Sequence, residues 1–190
     1  MHHAAAGSPV DADLNFTGTT KDEERAWIQS INAYHLSIGY GGFGYQAAAF
    51  PSGRVYTVRA CHGARAHIAG QNDRFAGIVI PGDWSVARPS AGVIAGVRRW
   101  VAAMRTQLGD ATLPVGGHRD YALPSDPTAC PGDGGTSILS EVEDDMTDGE
   151  RELLRLTAKA FLLDANEIID EQTGLAVTEE AQTALMLDRL

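Results

Sequence analysis

The sequence predicts a mixed α/β fold, a central sheet flanked by helices and followed by a helical C-terminal tail. Three observations lead there. Pro51-Ser52-Gly53 separates two strand-like runs, 45–50 and 54–59, as a hairpin turn does. Residues 91–108 carry Val97, Trp100, Val101 and Met104 on one face at helical spacing. From Thr147 the composition changes to a leucine-rich helical pattern.

Each element follows from local signals. Residues 1–20 are rich in Ala, Gly, Ser, Pro and Thr and read as an irregular segment after a very short start. By residue type alone, Met1-His2-His3 also fits a frayed end. Lys21–Leu36 places Trp27, Ile28, Ile31 and Tyr34 on one helical face. Thr19 or Thr20 can cap it, with Glu23 or Glu24 reaching back. Gly39, Gly41, Gly42 and Gly44 then break the chain. In the hairpin, Gly53 supplies the positive φ of the turn. Ala76–Pro81 is a short apolar run suited to a buried strand. Ser90 caps the helix 91–108. Leu113–Gly116 is expected to be a strand and Ser137–Asp145 a short helix. Glu150–Glu171 is a helix stopped by Gly174, and Thr178 caps a last one to Leu190.

Length and charge bound the function. A chain of 190 residues holds one domain plus a small appendage; the composition shift divides it into 1–145 and 146–190. The formal net charge of -10 repels phosphate backbones, so no nucleic-acid partner is expected. It also opposes simple electrostatic adhesion to anionic wall polymers. No run is long and apolar enough for membrane insertion. No basic stretch precedes an apolar run at the N-terminus, so no signal peptide is expected. The C-terminal helices are expected to pack on the first domain or to support self-association.

Chemistry gathers around a few residues. Gly117-His118-Arg119-Asp120 and Thr128-Ala129-Cys130-Pro131-Gly132-Asp133 each place a metal-competent donor in a tight loop. A catalytic zinc takes three protein ligands, so a third must come from elsewhere. Spacing does not choose it among His2, His3, His35, His62 and His67. Arg119 and Asp120 are expected to orient their loop. Cys61 lacks such a setting and reads as a packing residue.

Residues 2 to about 140 resemble the type 2 N-acetylmuramoyl-L-alanine amidases, whose fold is shared with peptidoglycan recognition proteins and phage endolysins. The resemblance rests on motifs in one order. They are His2-His3-Ala4-Ala5-Ala6-Gly7, Tyr34-His35, Gly44-Tyr45-Gln46, Ser52-Gly53, Ala66-His67-Ile68-Ala69-Gly70-Gln71-Asn72, and the His118 and Cys130 loops. The sequence departs from the family at Gln46, where a histidine is usual.

The resemblance implies a zinc ion held by His2, His118 and Cys130. It makes Tyr45 the catalytic hydroxyl and Thr128 an aid to the oxyanion, without the positive charge of a lysine. His67 and Asn72 are expected to line the substrate cleft, and His35 to pack or hydrogen-bond at its helix end. The family's first strand runs several residues upstream of its zinc histidine, so the domain 1–145 is expected to begin inside that strand. The implied activity is zinc-dependent hydrolysis of the bond between N-acetylmuramic acid and L-alanine in peptidoglycan. The chain is then expected in the host cytoplasm until released, acting at the bacterial cell wall. The alternative is a module that binds the muropeptide without cutting it.

Overall fold

A computed structural model describes residues 1–4, 16–59 and 66–143. Cys61, His62, the helices expected within 150–190 and the appendage 146–190 lie outside the described residues.

The described residues form a three-layer α/β/α arrangement. Four strands, β1 (His2–Ala4), β2 (Ala47–Ala49), β3 (Val55–Thr57) and β4 (Ile78–Pro81), make one sheet in the order β1-β4-β2-β3. β4 runs parallel to both β1 and β2, and β2 and β3 form the antiparallel hairpin. The mixed α/β class and the central sheet expected from the sequence are present.

The strands alternate faces, and the alternation builds two cores. Ala47, Ala49, Val55, Ile78 and Ile80 pack with Val93, Ile94, Val97 and Val101 of helix α2 (Ala91–Leu108). Ala48, Tyr56 and Val79, on the other face, pack with Trp27, Ile28 and Ile31 of helix α1 (Lys21–Ser37). Burying Ile28, Val79, Ile80 or Val97 completely contributes about 1.5–3 kcal/mol per side chain.

Both long helices start where their caps predict. Thr20 accepts from the Glu23 N–H, and the Glu23 carboxylate accepts from the Thr20 N–H, a complete capping box. Ser90 accepts from the Val93 N–H at the start of α2, and Gly109 ends it in the left-handed region. Glu24 ties α1 to the hairpin. Its buried carboxylate accepts from Arg54, Tyr56 and Ser52.

Two expectations need correction. Leu113–Gly116 is not a strand; residues 113–117 are irregular. Pro114 has no N–H to give a ladder. The Leu113 carbonyl is taken by the Arg105 guanidinium, and the Gly116 carbonyl by the Met1 amino nitrogen. The tight loop expected at Cys130 leads straight into a helical turn, which delays the helix expected from Ser137. Gly132–Thr136 winds into a short helix, α4, and the helix expected from Ser137 starts at Leu139, as α5 (Leu139–Glu143), the last described residues.

The glycines in α4 have a packing reason. A Cβ on Gly134 would stand 1.9 Å from the Ala87 carbonyl oxygen. Only glycine lets this turn lie on the 84–87 backbone, where the Asp133 and Gly135 N–H groups donate to Ser85 and Trp84. No described helix is long and apolar enough to cross a membrane.

Candidate metal centre

His2 reaches the site through sheet register. It pairs with Val79 of β4, and so does Ala48 of β2, so all three share the α1 face of the sheet. His2 is 3% exposed, which rules out a frayed end for this residue. The register also carries Met1 to the His118 loop, where its carbonyl accepts the His118 N–H at 3.0 Å.

His118 opens a single helical turn, α3 (His118–Tyr121). Asp120 accepts from the Gly117 N–H at 2.7 Å and braces the start of that turn. The Arg119 N–H donates to the Cys130 carbonyl at 2.8 Å, and its guanidinium pairs with Asp133 at 2.8 Å. Arg119 thus joins the His118 turn to the Cys130 loop, while Asp120 braces the turn itself. The Thr128 hydroxyl oxygen accepts the Cys130 N–H at 3.1 Å, and the Cys130–Pro131 peptide is cis.

These supports bring His2, His118 and Cys130 together. Their donor atoms all lie within 4.8 Å of one another. His2 Nδ1 is 4.0 Å from Cys130 Sγ, and the two imidazole rings are 4.5 Å apart. A tetrahedral zinc with bonds of roughly 2.0–2.3 Å holds such donors about 3.5 Å apart, so small movements complete the fit. The electrostatics agree. Burial pushes the pKa of His2 well down and lowers that of His118, which keeps both rings neutral and able to donate lone pairs. Burial pushes the Cys130 thiol up, while the His3 N–H, 3.4 Å from the sulfur, favours the thiolate. A bound dication deprotonates a coordinating thiol outright.

The other candidates take distinct places. The half-buried Tyr45 ring lies 5.1 Å from the His2 ring, at the edge of the donor group. His35 stays outside it. Its Nδ1 accepts the Gly44 N–H at 2.9 Å, which orders the loop leading to Tyr45. His67 is buried, with Nδ1 3.2 Å from His2 Nε2. Asn72 accepts the N–H groups of His67 and Ile68, both at 2.8 Å, and so shapes the His67 loop. Gln46 is fully buried and accepts the Gly77 N–H at 2.5 Å, bracing the start of β4 rather than the metal donors. Sequence reasoning missed the link from His67 to His2. The five-residue spacing of His67 and Asn72 marks a local turn, yet nothing local points across to residue 2.

No family model matches the chain. A human N-acetylmuramoyl-L-alanine amidase is 30% identical over 136 residues, 70% of this chain. With the ordered motifs and the α/β/α fold, that likeness decides the family. The chain belongs to the type 2 amidase and peptidoglycan recognition protein family. It spans 22% of the length of the human amidase.

Solved structures of the family share the fold. An endolysin N-acetylmuramoyl-L-alanine amidase from Clostridium intestinale superposes with a TM-score of 0.56 at 20% identity. That match covers 76% of this chain and 81% of the endolysin. A Drosophila PGRP-LB variant in complex with tracheal cytotoxin superposes with a TM-score of 0.61 at 21% identity. It covers 73% of this chain and 76% of that one.

Proposed function

We propose that this chain is a zinc-dependent amidase that hydrolyses the bond between N-acetylmuramic acid and L-alanine in bacterial peptidoglycan, as an endolysin does. The observation that carries the proposal is the convergence of two imidazoles and one thiol within 4.8 Å. That donor set suits a catalytic zinc site, with three protein ligands and a fourth position for water or substrate. A module that only grips muropeptide has no need of it.

His2, His118 and Cys130 would hold the ion. Zinc would supply a Lewis acid and a nucleophilic water near neutral pH. Two neutral rings and one thiolate cancel only one of its two charges, so the site keeps a net positive charge where the oxyanion develops. Tyr45, whose ring lies beside that of His2, would donate its hydroxyl hydrogen to that oxygen. The Thr128 oxygen is occupied by the Cys130 N–H, so its hydroxyl hydrogen can be donated to the same charge. Hydrolysis adds water across the amide, breaks the C–N bond and releases the stem peptide with a free L-alanine amine. The place of action is the bacterial cell wall, reached after release from the host cytoplasm.

The test is zinc content together with release of L-alanine amino groups from purified cell wall. We expect one zinc per chain and release of stem peptide, both lost in Cys130→Ser. Wall binding without any release of amino groups would overturn the amidase reading in favour of a recognition module.

A further inference from the structure

We propose that His67 is a positioning residue that sets the tautomer and aim of His2, so that His2 Nδ1 faces Cys130 as a lone-pair donor. The inference rests on the metal site proposed above.

Hydrogen-bond arithmetic carries it. His67 Nε2 lies 3.2 Å from the Phe75 carbonyl oxygen. A carbonyl only accepts, so Nε2 carries the His67 proton. In a neutral ring Nδ1 then bears a lone pair. His2 Nε2 stands 3.2 Å from that Nδ1, so His2 must donate from Nε2. The His2 proton is thereby placed on Nε2, and Nδ1, 4.0 Å from Cys130 Sγ, is left with the lone pair. One backbone carbonyl decides the protonation of two rings in series. A metal-binding histidine is commonly held in this way through its second nitrogen.

The surroundings hold the His67 ring in place. Its backbone N–H is tied to Asn72. Its ring lies against Gly77, where a Cβ would stand 2.9 Å from Cγ, so glycine at the start of β4 makes room for it. The His67 ring meets the His2 ring edge-on, with planes at 79° and centroids 5.1 Å apart. An edge-on approach is what a ring nitrogen needs to accept in the plane of its neighbour.

The experiment is a zinc competition titration against a chromogenic chelator, run on the wild type, His67→Leu and His67→Asn. Losing such a support costs about 10- to 100-fold in metal affinity. We expect a loss of that size in His67→Leu. In His67→Asn the amide oxygen can accept near the place of Nδ1, so most of the affinity should return. Equal zinc affinity in the wild type and His67→Leu, with only KM raised, would overturn the inference and leave His67 as a substrate contact. A wild type that takes up no zinc would overturn the metal site as well. A measurement without variants guards against misfolding: nitrogen-15 NMR of the histidine rings in the zinc-loaded wild type. A proton on His2 Nε2 and none on His67 Nδ1 is the expected result. A proton on His2 Nδ1 would overturn the inference.

Discussion

Replacing Glu24 with glutamine perturbs the join between α1 and the hairpin by a single atom. One carboxylate oxygen accepts from Ser52 at 2.5 Å and from Arg54 Nη2 at 3.2 Å. The other accepts from Arg54 Nε at 2.6 Å and from the Tyr56 hydroxyl at 2.8 Å. In Glu24→Gln the amide nitrogen should settle where Ser52 now donates. Ser52 can turn its hydroxyl to accept, whereas Arg54 has donors only. The loss is then the longer Arg54 contact and the opposite charge facing the guanidinium. A hydrogen bond to a charged group contributes roughly 1.5–3 kcal/mol. Breaking a fully buried ion pair costs roughly 3–5 kcal/mol. The Arg54 side chain is 33% exposed and can recruit water, which favours the lower range. We expect a loss of about 2 kcal/mol, read as a lower urea midpoint with an unchanged slope. Glu24→Ala should cost more, since it removes the acceptor of Arg54 Nε and of two hydroxyls together. A loss below about 0.5 kcal/mol in both variants would refute the view that this network holds the hairpin to α1.

Three further outcomes are expected. Tyr45→Phe keeps the ring packed beside His2 and removes only the hydroxyl. Amino-group release should fall by about 10²- to 10³-fold in kcat with zinc content unchanged, and an unchanged kcat would remove Tyr45 from the chemistry. Burial holds His35 down at about 4, against an ordinary 6.5, and its Nδ1 must stay unprotonated to accept from Gly44. The unfolded chain therefore takes up that proton first. Stability should be intact above about pH 6.5 and fall toward pH 4, with a flatter acid limb in His35→Asn, read by thermal melts across that window. Gly134→Ala would set a Cβ against the Ala87 carbonyl, backbone against backbone. Relieving that overlap should cost about 1–3 kcal/mol in urea unfolding.

Much of the fold was legible because its signals are local. Thr20 with Glu23, and Ser90 with Gly109, mark helix ends through groups a few residues apart. The hairpin could be read from Gly53, whose φ of 86° is the turn geometry expected there. The failures have non-local causes. The strand expected at 113–116 was lost to Arg105 and Met1, which satisfy its carbonyls from outside the segment. The α4 turn depends on the 84–87 backbone lying beneath its glycines, a contact that no window of sequence contains.

The candidate site divides along the same line. His118 and Cys130 could be singled out by residue type and loop setting alone, because a Gly-His turn and a Cys-Pro-Gly turn each constrain their own donor. The sequence also determined the acidic balance, a formal net charge of -10. His2 was different. By residue type it could be a frayed end, and only the ordered motifs of the family pointed to it as a ligand. The tertiary structure decided that it joins a sulfur 128 residues away, and that His67 meets its far nitrogen. The physical reason is that β1 and β4 are parallel. No tight turn links parallel strands, so their register is set by the packing of the whole sheet rather than by nearby residues.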